Sequence, residues 1–80
     1  MSKIAPEPNP ARQLVAANLR RLRLQAGYSQ EALATEAGFH RTYVSQIERC
    51  KLNVTIDAMW RLAELLGAQV SEFLAEQPNS

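Results

Sequence analysis

Apolar residues in this 80-residue chain recur every three or four positions in four stretches, and three glycines, Gly27, Gly38 and Gly67, cut those stretches short. Such spacing gathers apolar side chains on one face of a helix, and glycine ends helices because the left-handed backbone costs it nothing. No segment alternates apolar and polar residues for long, so a sheet is not expected. Val15, Leu19, Leu22 and Ala26 predict a first helix over residues 10–26, with Asn9 as its cap and Pro10 at its first position. Ser29 caps a second helix over 30–37, which turns Leu33, Ala34 and Ala37 inward. Only three residues after Gly38, Arg41 opens a third pattern, with Val44 and Ile47 on its inner face. Thr55 caps a fourth that carries Ile56, Met59, Ala63 and Leu66 inward, and residues 71–75 make a last turn that offers Phe73 and Leu74 to the core. The expected fold class is all-α, a compact bundle of five short helices over residues 10–76. Pro6, Pro8 and Pro10 predict a flexible arm over 1–9, and residues 77–80 are expected to fray.

A chain of this length has room for one small core and one domain. Its composition, 46% hydrophobic and 21% charged, is that of a globular protein, and no apolar run approaches the roughly 20 residues of a membrane span. The first ten residues, MSKIAPEPNP, lack the apolar centre of a secretory leader, and one cysteine cannot form an internal disulfide. A cytoplasmic location is expected. The net charge of +1 hides an asymmetry: residues 12–51 hold seven cations and three anions, a balance of +4, whereas residues 52–80 hold one cation and four anions, a balance of −3. One end of the domain therefore suits an anionic partner better than the other.

The segment GFHRTYVSQIERC, residues 38–50, contains the only histidine and the only cysteine. His40 and Cys50 lie ten residues apart with no carboxylate cluster at ligand spacing, so no metal site is expected. The chain also lacks a glycine-rich phosphate loop and a nucleophile with a recognisable base, so no enzyme activity, cofactor or small-molecule ligand is expected. With Val44 and Ile47 inward, Arg41, Thr42, Ser45, Gln46 and Arg49 are left to the outside. Arginine can bridge two guanine acceptors, glutamine can do the same for adenine, and threonine offers a hydroxyl or a methyl group. Taken alone, that face suits base reading and an ordinary solvated helix surface equally well.

The stretch SQEALATEAGFHRTYVSQIE, preceded by LRRLRLQAGYSQ and followed by ERCKLNVTIDAMWRLAELLG, resembles the helix-turn-helix of the Cro and Xre family, the phage-repressor group. The match covers about residues 14–75 and rests on Gln30, Ala34, Gly38, Val44 and Ile47. The resemblance implies a lambda-repressor-like DNA-binding domain whose third helix enters the major groove of double-stranded DNA. It assigns base reading to Arg41, Thr42, Ser45 and Gln46, and phosphate contact or positioning to Gln30, Tyr43, Arg49, Lys51, Asn53 and Arg23. It also implies an ion pair between Arg23 and Glu48, and a capping or phosphate-proximal role for His40. Cys50 stands where relatives commonly carry the glycine that ends this helix, and Leu52 where many carry arginine. Family members usually pair on half-sites about 34 Å apart; Trp60, Leu65 and Val70 are the expected two-fold interface, with Trp60 as a cover for the core edge the competing reading. HRTYVSQIER is especially similar to the recognition segment of restriction-modification controller proteins. The resemblance thus implies a homodimeric transcription regulator on an inverted-repeat operator, with phage-type and antitoxin-like repressors as alternatives. A helical protein-interaction module without DNA contact is the alternative of another class.

Overall fold

In the computed structural model, residues 9–76 are described, and they form α1 (Pro10–Ala26), α2 (Gln30–Glu36), α3 (Tyr43–Glu48), α4 (Ile56–Leu66) and α5 (Val70–Phe73), with no strand among them. The arm expected over 1–9, apart from Asn9, and the end expected to fray over 77–80 lie outside the described residues.

Local chemistry opens three of these helices in the same way. Side-chain oxygens of Asn9, Ser29 and Thr55 accept the backbone N–H groups of Arg12, Ala32 and Ala58 at 2.8, 3.0 and 3.0 Å. Each bond satisfies a donor that the first helical turn leaves without a partner. Four helices also close in one way, through an N–H donated five residues back: Tyr28 to Arg23, Phe39 to Ala34, Lys51 to Gln46 and Ala68 to Ala63, at 3.1, 2.9, 2.8 and 3.0 Å. That closure needs a left-handed residue before the donor. Gly27, Gly38 and Gly67 supply it with positive φ, and Cys50 supplies it with φ +59°.

The core forms where α1 crosses the other helices. Leu19, Leu33, Ala34 and Val44 are wholly buried, and Ile47, Leu62 and Phe73 almost so. Ala34 lies where α2 meets its neighbours, so its small side chain lets the helix pair close. α3 packs on α1 and α2, while α5 packs on α1 and α4. The buried Asn18 ties the end of the chain to α1: its Nδ2 donates to the carbonyls of Phe73 and Ala75 at 2.9 and 2.8 Å.

Several sequence expectations are corrected. α3 begins at Tyr43, because His40 to Tyr43 form a turn closed by the Tyr43 N–H on the His40 carbonyl at 2.9 Å, which leaves Arg41 outside the helix. Ile56 is exposed, since the buried arc of α4 runs through Ala58, Met59, Leu62 and Ala63 and Ile56 sits at its edge in the first turn. Ala26 has the right phase on α1 but lies at its last position, beyond the core, and is exposed. α5 ends at Phe73, so Leu74 leaves the helical path and is also exposed.

Candidate nucleic-acid interface

Two short helices and the turn between them carry the polar residues singled out by the sequence. Two residues past the end of α2 stands Gly38, whose φ of +88° lets the chain reverse; a Cβ there would meet no atom within 4 Å, so the constraint is backbone conformation and not space. The chain then passes through the turn at Arg41 and Thr42 into α3. The His40 ring steadies this passage, with Nδ1 accepting the Thr42 backbone N–H at 3.2 Å and lying 2.8 Å from the Thr42 hydroxyl. Val44 and Ile47 fix the depth of α3 in the core.

Orientation of α3 comes from a buried polar hub. Arg23 on α1 donates from Nε to Glu48 Oε2 at 2.7 Å and from a terminal nitrogen to Oε1 at 3.1 Å. Gln30, the first residue of α2, donates its amide to the same Oε1 at 2.9 Å. The Arg23 guanidinium also donates to the Tyr28 carbonyl at 2.9 Å, just past the end of α1. Side-chain exposures of 7% for Arg23 and 4% for Glu48 make this a desolvated fork, in which each donor answers an acceptor. One carboxylate thereby gathers α1, α2 and α3. The Arg23 guanidinium is committed inside the fold, where it fixes the Glu48 carboxylate. The Gln30 side chain is likewise turned toward Glu48.

The remaining polar residues line the outer side of this unit. Arg41 is exposed, while Thr42, Ser45 and Gln46 are half-buried. The Ser45 hydroxyl donates to the Thr42 carbonyl at 2.8 Å. Arg49, Lys51 and Asn53 are exposed, and with Gln46 their side chains make no hydrogen bond among the described residues. Asn53 lies with Asn9, Arg12 and Leu74 along a hollow beside the start of α1. The Tyr43 ring stacks on Phe39 with centroids 4.3 Å apart. Burial pushes its phenol pKa up, so Tyr43 stays a neutral hydrogen-bond donor at ordinary pH. The Tyr28 phenol is pushed up as well, first by its hydrogen bond to Glu36.

The apolar trio expected at an interface divides. Trp60 is 62% exposed, whereas Leu65 and Val70 are half-buried and pack against the core. Trp60 and Val70 line an open groove with Ala63 and Ala68. Ile56, which the sequence reading turned inward, is 63% exposed one helical turn before Trp60 on the same side of α4. Its apolar character hid this, since composition does not distinguish a core residue from one at the edge of the buried arc.

No group of three or more His, Cys, Asp or Glu residues among the described ones is placed to hold a metal ion. No described helix is long and apolar enough to cross a membrane.

Known proteins share this fold. A family model described as Helix-turn-helix matches residues 19–73. A hypothetical transcription factor of Neisseria meningitidis serogroup B is 36% identical over 69 residues, a match that takes in 86% of this chain and 65% of that protein. Control protein C.BamHI of Bacillus amyloliquefaciens is 40% identical over 67 residues, covering 82% of this chain and 83% of that one. The crystal structure of the restriction-modification controller protein C.AhdI from Aeromonas hydrophila superposes with a TM-score of 0.72 at 35% identity, over 78% of this chain and 90% of that one. With its turn at Gly38, its buried Val44 and Ile47 and these relatives, the chain belongs to the Cro/Xre-type helix-turn-helix family of transcription regulators.

Proposed function

We propose that this protein is a sequence-specific regulator that binds double-stranded DNA as a homodimer on an inverted-repeat operator, in the manner of a restriction-modification controller. The observation that carries the reading is the division of labour around α3. Val44, Ile47 and Glu48 hold the helix from within, and Arg41, Thr42, Ser45, Gln46 and Arg49 are left on the outside. Arg41, Thr42, Ser45 and Gln46 read base edges in the major groove, where bidentate and methyl contacts distinguish the four base pairs. Tyr43, Arg49, Lys51 and Asn53 contact sugar and phosphate, which sets register without choosing sequence. Gln30 and Arg23 act one step back, by fixing Glu48 and through it the pitch of α3. The exposed Trp60 and Ile56, with the half-buried Leu65 and Val70, form the two-fold interface that spaces two reading helices one turn of duplex apart. The similarity to C.BamHI and C.AhdI, a control protein and a controller protein, favours the controller role over the other regulators of the family.

Selection of duplexes from a random pool tests reader and dimer together. An enriched motif with inverted symmetry is expected, with affinity that falls steeply as salt rises. No enriched motif and no salt dependence would instead favour a protein-interaction module. Arg41→Ala should cost about 1–3 kcal/mol on the selected duplex and relax the preference at one base position. A uniform loss over all sequences would make Arg41 a phosphate contact. Sedimentation should give a mass near twice 8.9 kDa, and Trp60→Glu should lower it to that of one chain.

A further inference from the structure

Arg41 is the one proposed base-reading residue that an acidic side chain restrains. It sits in the turn before α3, outside the helix, and a long side chain there has many rotamers to choose from. A terminal nitrogen of its guanidinium lies 3.4 Å from a carboxylate oxygen of Glu31, in the first turn of α2, and both side chains are 66% exposed. Gln30, its neighbour, is turned inward to Glu48, so at the start of α2 it is Glu31 that presents an outward group beside the reading surface.

A carboxylate beside a surface that meets phosphate weakens binding to every duplex alike. Placed next to Arg41, it does something more selective. The contact uses one of five N–H donors and leaves the others to meet guanine acceptors. It also disfavours conformations in which the guanidinium swings away to a phosphate, since those give up the carboxylate. We propose that Glu31 is a specificity-determining residue, which steers Arg41 toward a base edge and away from indiscriminate phosphate contact. This inference rests on the DNA-reading function proposed above.

The test compares binding to the selected duplex and to a scrambled duplex of equal length, for the wild type, Glu31→Gln, Arg41→Ala and the double variant. An exposed pair is weak, so Glu31→Gln should tighten binding to the scrambled duplex by roughly two- to fivefold. It should tighten binding to the selected duplex by less, so that the preference between them falls at least about twofold. The lost preference should be confined to the base position that Arg41→Ala also relaxes. In the Arg41→Ala background, Glu31→Gln should shift both duplexes equally. Equal shifts on both duplexes in the wild-type background would overturn the proposal and make Glu31 a solvated charge. A wild type with no preferred duplex would overturn the DNA reading itself, so the two failures are distinct. Because both side chains are exposed, thermal unfolding should be nearly unchanged in all four proteins, which separates this role from a structural one.

Discussion

α4 and α3 differ in what holds them. α4 has 11 residues, a threonine hydroxyl closing its first turn and a glycine in the left-handed position at its end. α3 has 6 residues, no side-chain bond capping its start and a cysteine in the left-handed position after it. A helix of so few residues is unstable by itself. What keeps α3 formed is tertiary: Val44 and Ile47 in the core, and the Glu48 carboxylate gripped by α1 and α2. The frame is thus written in local sequence and α3 in distant contacts. That arrangement leaves the outer side of α3 with few structural duties, so substitutions there should disturb the fold little.

Breaking the hub should widen the contrast most. Glu48→Ala leaves the Arg23 guanidinium in a site where its side chain is 7% exposed, with the Tyr28 carbonyl as its remaining partner. Removing one member of a buried pair costs about 3–5 kcal/mol. A loss of that size in urea denaturation is expected, together with a loss of DNA binding, because the pitch of α3 is set by the same carboxylate. A loss below about 1 kcal/mol, within the range of an exposed pair, would show that Val44 and Ile47 suffice to hold the helix.

The two threonines at helix starts sharpen the comparison at lower energy. Thr55 accepts the Ala58 N–H at 3.0 Å, so Thr55→Ala should cost about 1 kcal/mol of stability and leave DNA affinity nearly intact. Thr42 makes no such cap; its hydroxyl lies beside the His40 ring instead. Thr42→Ala should therefore alter stability by less than about 0.5 kcal/mol while lowering affinity for the selected duplex. Equal destabilisation by both changes would place α3 under the same local control as α4.

The same division explains what could be read from the sequence. Asn9 with Pro10, Ser29, Thr55 and the glycines mark helix limits by chemistry within a few residues, and the structure places the helix starts and ends beside them. The start of α3 was not legible, because the turn from His40 to Tyr43 replaces the first helical turn that the apolar pattern suggested. Ile56 and Leu74 were misplaced because burial at a helix end depends on what lies beyond it, which periodicity does not carry. Asn18 was missed altogether: its carbonyl partners lie 55 and 57 residues away, and no local spacing announces them. The pairing of Arg23 with Glu48 was suggested only by resemblance to a family, since charges 25 residues apart have no spacing rule of their own.

Cys50 is where α3 and the frame can be compared at a single residue. Its φ of +59° is the conformation that Gly27, Gly38 and Gly67 adopt freely, and the Lys51 N–H still reaches the Gln46 carbonyl at 2.8 Å. The α3 terminus therefore keeps the geometry of the other three and bears the Cβ clash that they avoid. A non-glycine residue in the left-handed region carries about 1–2 kcal/mol of unfavourable energy. Glycine offsets part of that by loosening the unfolded chain, an effect of about 0.4–1 kcal/mol. Cys50→Gly should consequently stabilise the protein by about 0.5–1 kcal/mol, read as a rise in the urea midpoint with an unchanged slope. Gly38→Ala should do the opposite by a comparable amount, since the backbone there is left-handed and the space around a Cβ is open. If Cys50→Gly brings no gain, the thiol's own packing at the end of α3 compensates for the backbone, and all four helix ends are equally relaxed.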